Sequence, residues 1–309
     1  MTSRPTISKF TIAAVLPPQW LLAQFESGFV AKPSDKMALQ ALWEKANKVY
    51  KTSGPPSRSY LNVDDVKEVD DIPRSDIESA LSRIRLYAPY DSHTTGIHNV
   101  RISKLVTPQI VVNLSRAEKR ATLEQGMKTK ELFPIMFESA GKPEPITKQT
   151  LGMAPNGGAL MFTSYDEDIR LHHPPEYRSI AIKETDNRSP SLESVCLPVG
   201  GGLPFASANR IQIADNISRL ILNNGIHRVY RLAQLGYEWC PLAVCDLVPL
   251  ELPDPFVDLP KSVLLDPNSN PPLITDFLDN SIAIPLEYYT LLKSIRLNWN
   301  FEQYVTVLK

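Results

Sequence analysis

The stretch that decides the fold runs from Leu220 to Tyr237 and reads LILNNGIHRVYRLAQLGY. Its apolar opening, Leu220 to Leu222, has the character of a buried strand and stops at Asn224-Gly225. Asn-Gly tolerates the positive φ that a sharp turn demands. Beyond the turn, Val229, Leu232 and Ala233 fall on one face of a helix, and Gly236 supplies its stop. The spacing predicts a strand that leads into a helix beginning within two residues of Ile226. The first turn of such a helix presents main-chain N–H groups at the positive end of its dipole, with His227 and Arg228 beside them. Backbone donors favour an anion, and a guanidinium can grip a phosphate with two parallel bonds. Asn224, Gly225, Ile226, His227 and Arg228 are therefore the candidate phosphate or nucleotide site. The same residues also suit a helix start kept for packing, with Arg228 in a surface salt bridge.

Working outward, RIQIA (Arg210–Ala214) and SRLILN (Ser218–Asn223) flank Asp215–Asn216, the pattern of a tight hairpin. Cys240 to Val248, CPLAVCDLV, reads as the strand that follows the helix. The order is hairpin, turn, helix, strand.

Asn224-Gly225-x-His227-Arg228, set between an apolar strand and a helix ending in Leu235-Gly236-Tyr237, resembles the ParB/sulfiredoxin superfamily. The resemblance covers Arg210 to Val248 and extends more loosely to RISKLVTPQ (Arg101–Gln109), which is similar to the family's opening strand. It implies a mixed-sheet α+β core in which Gly225, His227 and Arg228 contact nucleotide phosphates. The implied ligand is a nucleoside triphosphate with Mg2+. Ile226 stands where sulfiredoxin carries its reactive cysteine, so that activity is not expected. No arginine-rich CTP-binding turn and no helix-turn-helix segment follow, which argues against chromosome partitioning.

Around this core, residues 96–250, the sequence predicts a mostly helical extension over 1–95 and a proline-rich tether with a terminal strand over 251–309. Leu39, Leu42, Trp43, Ala46, Val49 and Tyr50 form a helical stripe that Gly54-Pro55-Pro56 ends. Ser75 with Glu78, and Ser115 with Glu118, have the spacing of capping boxes. The acidic run Asp64 to Asp71 reads as a solvated linker, and Pro143 to Pro155 as a loop. Ile295, Leu297, Trp299 and Phe301 alternate with polar residues at the period of a strand.

Composition narrows the classes. The 43% hydrophobic and 22% charged content are those of a globular protein. A net charge of −1 does not favour a nucleic-acid partner. No apolar run is long enough for a membrane span, and Met1 to Phe10 lacks a signal-peptide core, so the expected location is cytoplasmic. Cys196, Cys240 and Cys245 have no metal or disulfide spacing, and the pairs His93/His98 and His172/His173 have no clear third ligand; no metal site is expected. Gly200, Gly201 and Gly202 are a weaker phosphate-loop candidate. The expected function is a phosphate-binding module that serves as a regulatory or interaction component with a protein partner. The alternative is an enzyme on the same fold, a phosphotransferase, NTPase or nuclease. That reading needs a carboxylate at the turn, for which Glu118, Asp166, Glu167 and Asp168 are the candidates.

Overall fold

The computed structural model describes residues 7–26, 36–85, 93–118, 123–137, 147–154, 157–164, 170–171, 199–200, 205–251, 258–289 and 293–300. The chain is of the α+β class and divides into two units. The first comprises Met1–Ala140 with Leu203–Tyr289, the second Gly141–Gly202 with Thr290–Lys309.

The first unit opens with β1 (Ile7–Ala13), α1 (Pro18–Glu26), α2 (Lys36–Lys51), β2 (Val66–Lys67) and α3 (Arg74–Ile84). It continues with β3 (Thr95–Arg101), β4 (Leu105–Val106), β5 (Val111–Asn113), α4 (Leu114–Glu118) and α5 (Thr129–Phe137). The second unit contributes β6 (Thr147–Ala154), β7 (Gly157–Ser164), β8 (Arg170–Leu171) and β9 (Val199–Gly200). The chain then returns to the first unit through β10 (Ser207–Ala214), β11 (Ile217–Asn224), α6 (Ile226–Gln234), β12 (Trp239–Leu247), α7 (Lys261–Leu265) and β13 (Ala283–Tyr289). It ends in the second unit with β14 (Lys293–Asn300).

The main sheet of the first unit has the order β2-β3-β12-β10-β11-β4. β10 and β11 are antiparallel around Asp215–Asn216, with Asn216 at φ 57°, which is the hairpin read from the sequence. β12 returns beside β10 and parallel to it, so β10 lies between the two strands that α6 connects. β11 also pairs in parallel with β4. Leu220, Ile221, Leu242 and Ala243 are fully buried, and burial of the leucine and isoleucine side chains contributes on the order of 1.5–3 kcal/mol each.

A second sheet, β13-β1-β5, corrects the expected boundaries at 95 and 250. β1 pairs with β13 from Ile7↔Tyr289 to Ala13↔Ala283, so the two ends of this unit are one structure. The first ninety residues are thus not simply a helical extension. Nor is the segment after Pro249 merely a tether: Leu259, Leu264 and Ile274 are fully buried. Arg219 of β11 fastens that segment. It is fully buried and donates to the carbonyls of Leu264 (2.7 Å), Asp266 (3.0 Å) and Ser269 (2.8 Å), and to the Ser59 hydroxyl (2.9 Å). Arg58 grips Asp276 with two 2.7 Å bonds a short way along the same segment.

The α2 stripe is rotated from the predicted one. Trp43, Ala46, Asn47 and Tyr50 are buried, Leu39 and Val49 are half-buried, and Leu42 is 43% exposed. Asn47 and Trp43 turn inward because the chain leaving β1 carries carbonyls that need donors. Asn47 Nδ2 serves Ala14 (2.6 Å) and Leu16 (3.1 Å), and Trp43 Nε1 serves Leu16 (3.1 Å). Neither predicted capping box forms. Pro73 precedes α3 without a side-chain cap, and Glu78 pairs with Arg74 instead. Asn113 Oδ1, rather than Ser115, caps α4 by accepting from Arg116 N (3.0 Å). The acidic run is not wholly solvated, since Asp65 is buried and accepts from Arg101 Nε (2.8 Å) and Asn62 N (2.8 Å).

In the second unit, β14-β7-β6 form an antiparallel sheet. β6 occupies most of the stretch expected to be a loop; its Thr147, Gln149 and Thr150 gave no apolar alternation to read. β14 includes Ile295, Leu297 and Trp299; Phe301 lies outside the described residues. Cys196, Gly201, Gly202, His172, His173, Asp166, Glu167 and Asp168 also lie outside them.

Candidate functional site

β11 ends at Asn224, and α6 begins at Ile226 with Gly225 between them at φ 93°. Gly225 answers two demands. A Cβ there would strain the left-handed backbone, and it would lie 2.6 Å from the Ala206 Cβ and 3.0 Å from its Cα. Ala206 is itself pinned at the start of β10, donating from N to Met136 O (2.8 Å) and accepting at O from Ala243 N (3.1 Å). The Asn224 amide donates to the Phe205 carbonyl and ties the strand end to the same segment. At the other end of α6, Gly236 N bonds to Ala233 O and Tyr237 N to Leu232 O, both at 3.0 Å, the two bonds of a Schellman stop.

Both motif side chains reach away from the turn towards flanking elements. Arg228, expected to be exposed, is 6% exposed. Its Nη1 donates to the carbonyls of Ile135 (3.2 Å) and Met136 (3.1 Å). Those carbonyls belong to the last turn of α5, and that of Met136 also accepts from Ala206 N. A cation there also meets the negative end of the α5 dipole. Arg228 therefore caps α5 at its carboxyl end while its Nε passes within 3.6 Å of the place a Gly225 Cβ would occupy. His227 Nε2 accepts from Asn113 N (3.3 Å), at the junction of β5 and α4. That nitrogen is unprotonated in this arrangement, which leaves Nδ1 as the ring donor.

Asn224, Gly225, Ile226, His227 and Arg228 form the junction of β11 and α6. The N-cap residue of α6, Gly225, supplies no side-chain cap of its own. Of the candidate carboxylates, Glu118 at the end of α4 is close enough to Tyr230 to help raise its phenol pKa, after burial as the larger cause. Tyr230 lies one helical turn beyond Ile226, so Glu118 is associated with the flank of α6. Gly200 sits in β9 of the second unit.

Sequence reasoning missed the arginine clasp of Arg219 and Arg58. Its signal was present: Arg219 interrupts a strand whose next three residues are all apolar. Among the described residues no group of three His, Cys, Asp or Glu gathers to hold a metal. No described helix is long and apolar enough to cross a membrane. Comparison of the chain with protein-family models, with curated proteins and with solved structures finds no match.

Proposed function

We propose that this chain is a non-catalytic interaction module, a cytoplasmic component of a larger system with a protein partner, whose ParB/sulfiredoxin-like turn organises the fold. The observation that carries this reading is the burial of Arg228 on the carboxyl end of α5. A guanidinium holding the Ile135 and Met136 carbonyls contributes packing and capping, and removing it leaves buried acceptors without that donor.

A second reading keeps the ligand that the resemblance implies, a nucleoside triphosphate with Mg2+ bound at Gly225 to Arg228. The amino end of α6, with glycine as its N-cap and a guanidinium beside that glycine, favours it. An enzyme on this site would further need a carboxylate at the turn, and the position of Glu118 beside Tyr230 does not supply one.

The variant Arg228→Ala separates the two readings. The interaction-module reading expects a loss of about 2–4 kcal/mol in urea unfolding, from the lost charge-assisted bonds and the lost packing. It also expects wild-type protein to give no heat with ATP, CTP or GTP, with or without magnesium. Saturable nucleotide binding that Arg228→Ala weakens about tenfold or more, with unfolding little changed, would transfer the conclusion to the second reading.

A further inference from the structure

A cleft of about 530 Å3 opens at the far end of β11 from the glycine turn, lined by Arg210, Gln212, Ser218, Asp246, Ile213 and Leu247 among others. The β11 residues between Ser218 and Asn224 separate it from the turn by roughly 20 Å of strand. It is independent of the function proposed above.

The sheet explains why polar groups collect here. β10 and β12 are parallel, so their carboxyl ends lie side by side. Side chains alternate across a sheet, which puts Arg210 and Gln212 on one face. Ser218 stands opposite Gln212, and Asp246 is the register partner of Arg210. One step back along the same face, Ala208, Leu220 and Val244 are at most 2% exposed. The face changes from dry to polar within two residues, and the cleft begins at that change.

Arg210 is the informative group. Its Nε donates to Asp246 Oδ1 (2.6 Å) and its Nη2 to Oδ2 (2.8 Å). A guanidinium has a second bidentate edge, formed by Nη1 and Nη2. That edge has no partner among the described residues, and Arg210 lines the cleft with its side chain 40% exposed. An ordinary surface pair would be free to swing, whereas Asp246 fixes the plane of this guanidinium from behind. Gln212 and Ser218 add an amide and a hydroxyl, and Ile213 and Val248 add apolar wall. The volume falls within the usual range of small-ligand sites.

We propose that this cleft binds a small carboxylate bearing a branched apolar substituent. The carboxylate takes the Nη1/Nη2 edge of Arg210, and the substituent lies against Ile213 and Val248. Gln212 and Ser218 hydrogen-bond the polar end, and Asp246 is a positioning residue for Arg210. Asp215, also in the lining, gives an ammonium group a partner when the ligand is an amino acid.

The test is a titration of the isotope-labelled full chain, followed by amide NMR, with 4-methylpentanoate, leucine, a tripeptide ending in leucine, and uncharged 4-methylpentanamide. The expected result is a saturable shift of the Gln212, Ser218 and Leu247 signals with the carboxylates and none with the amide. Arg210→Lys should weaken binding about tenfold, because a point charge cannot reproduce the planar edge. Ser218→Ala, which leaves the Arg210–Asp246 pair intact, should weaken it with an unchanged melting curve. Tighter binding of leucine identifies a free amino acid as the ligand, and tighter binding of the tripeptide a chain terminus. Equal shifts with 4-methylpentanoate and 4-methylpentanamide, or none with any carboxylate, would overturn the proposal.

Discussion

Replacing Gly225 by alanine tests the geometry of the turn most directly. Two costs arise together. The left-handed backbone at φ 93° penalises a side chain by roughly 1–2 kcal/mol. The new methyl would also meet the Ala206 Cβ at 2.6 Å, a separation real Cβ atoms do not show, and overpacking of this kind costs roughly 1–3 kcal/mol. The sum is about 2–5 kcal/mol. For a unit of this size each kcal/mol lowers Tm by roughly 2–4 °C, so a drop of about 10 °C is expected. Gly236→Ala is the internal control, because Gly236 also has positive φ (+82°) but nothing within 4 Å of its would-be Cβ. It should carry the backbone cost alone, about 1–2 kcal/mol. Ala206→Gly removes the atom in the way, so in the Gly225→Ala background it should recover part of the loss, measured as a double-mutant coupling in urea unfolding. Equal losses for the two glycine variants, or no recovery with Ala206→Gly, would refute the claim that Ala206 and the turn are in enforced contact.

Three further outcomes are expected. Arg219→Met should cost on the order of 3 kcal/mol or more by stranding the carbonyls of Leu264 and Ser269, and should open the chain near residue 268 to limited proteolysis; an unchanged cleavage pattern would remove Arg219 from the role of fastener. Burial, and secondarily the charge of Arg210, hold the His98 imidazole below its usual value of 6.5, although Asp246 and Glu68 pull the other way. A depressed histidine gives stability that is complete above the unfolded value and lost as pH falls below it, so urea midpoints should decline from about pH 6.5 downwards and decline less in His98→Gln. Cys240, fully buried, has its thiol pushed far up by burial, so a thiolate-selective reagent should label it only after unfolding; rapid labelling of native protein would contradict the placement of β12.

The core of the fold was legible where local pattern and global structure agree. The Asp215–Asn216 hairpin, the strand into Gly225, the helix to Gly236 and the return strand all follow from turn chemistry and period. What escaped was long-range. The pairing of β1 with β13 joins residues 270 or more apart in sequence, and neither strand announces its partner. The segment after Pro249 looked like a tether because its prolines and asparagines suit a loop. It is part of the core because Arg219 and Arg58 supply donors to its carbonyls and to Asp276, and the need of a loop for donors leaves no periodic mark. Asn47 misled in the same manner: a polar residue on the buried face of α2 contradicts the apolar stripe but answers the carbonyls of Ala14 and Leu16.

The His227-Arg228 pair shows where reading a site from sequence stops. An arginine at the first turn of a helix has donors that fit phosphate oxygens and main-chain carbonyls equally well. The motif fixes where Arg228 starts, and the α5 segment decides where it ends. Ile135 and Met136 lie in the last turn of α5, where Ala206 brings β10 alongside and donates to the Met136 carbonyl. Arg228 is the side chain that reaches both carbonyls. Arg210 shows the contrasting case. Its carboxylate partner takes one edge of the guanidinium and leaves the other turned to a cleft. Two arginines in one sheet region thus differ in what they can do for a ligand, and the difference lies in which edge the protein has already claimed.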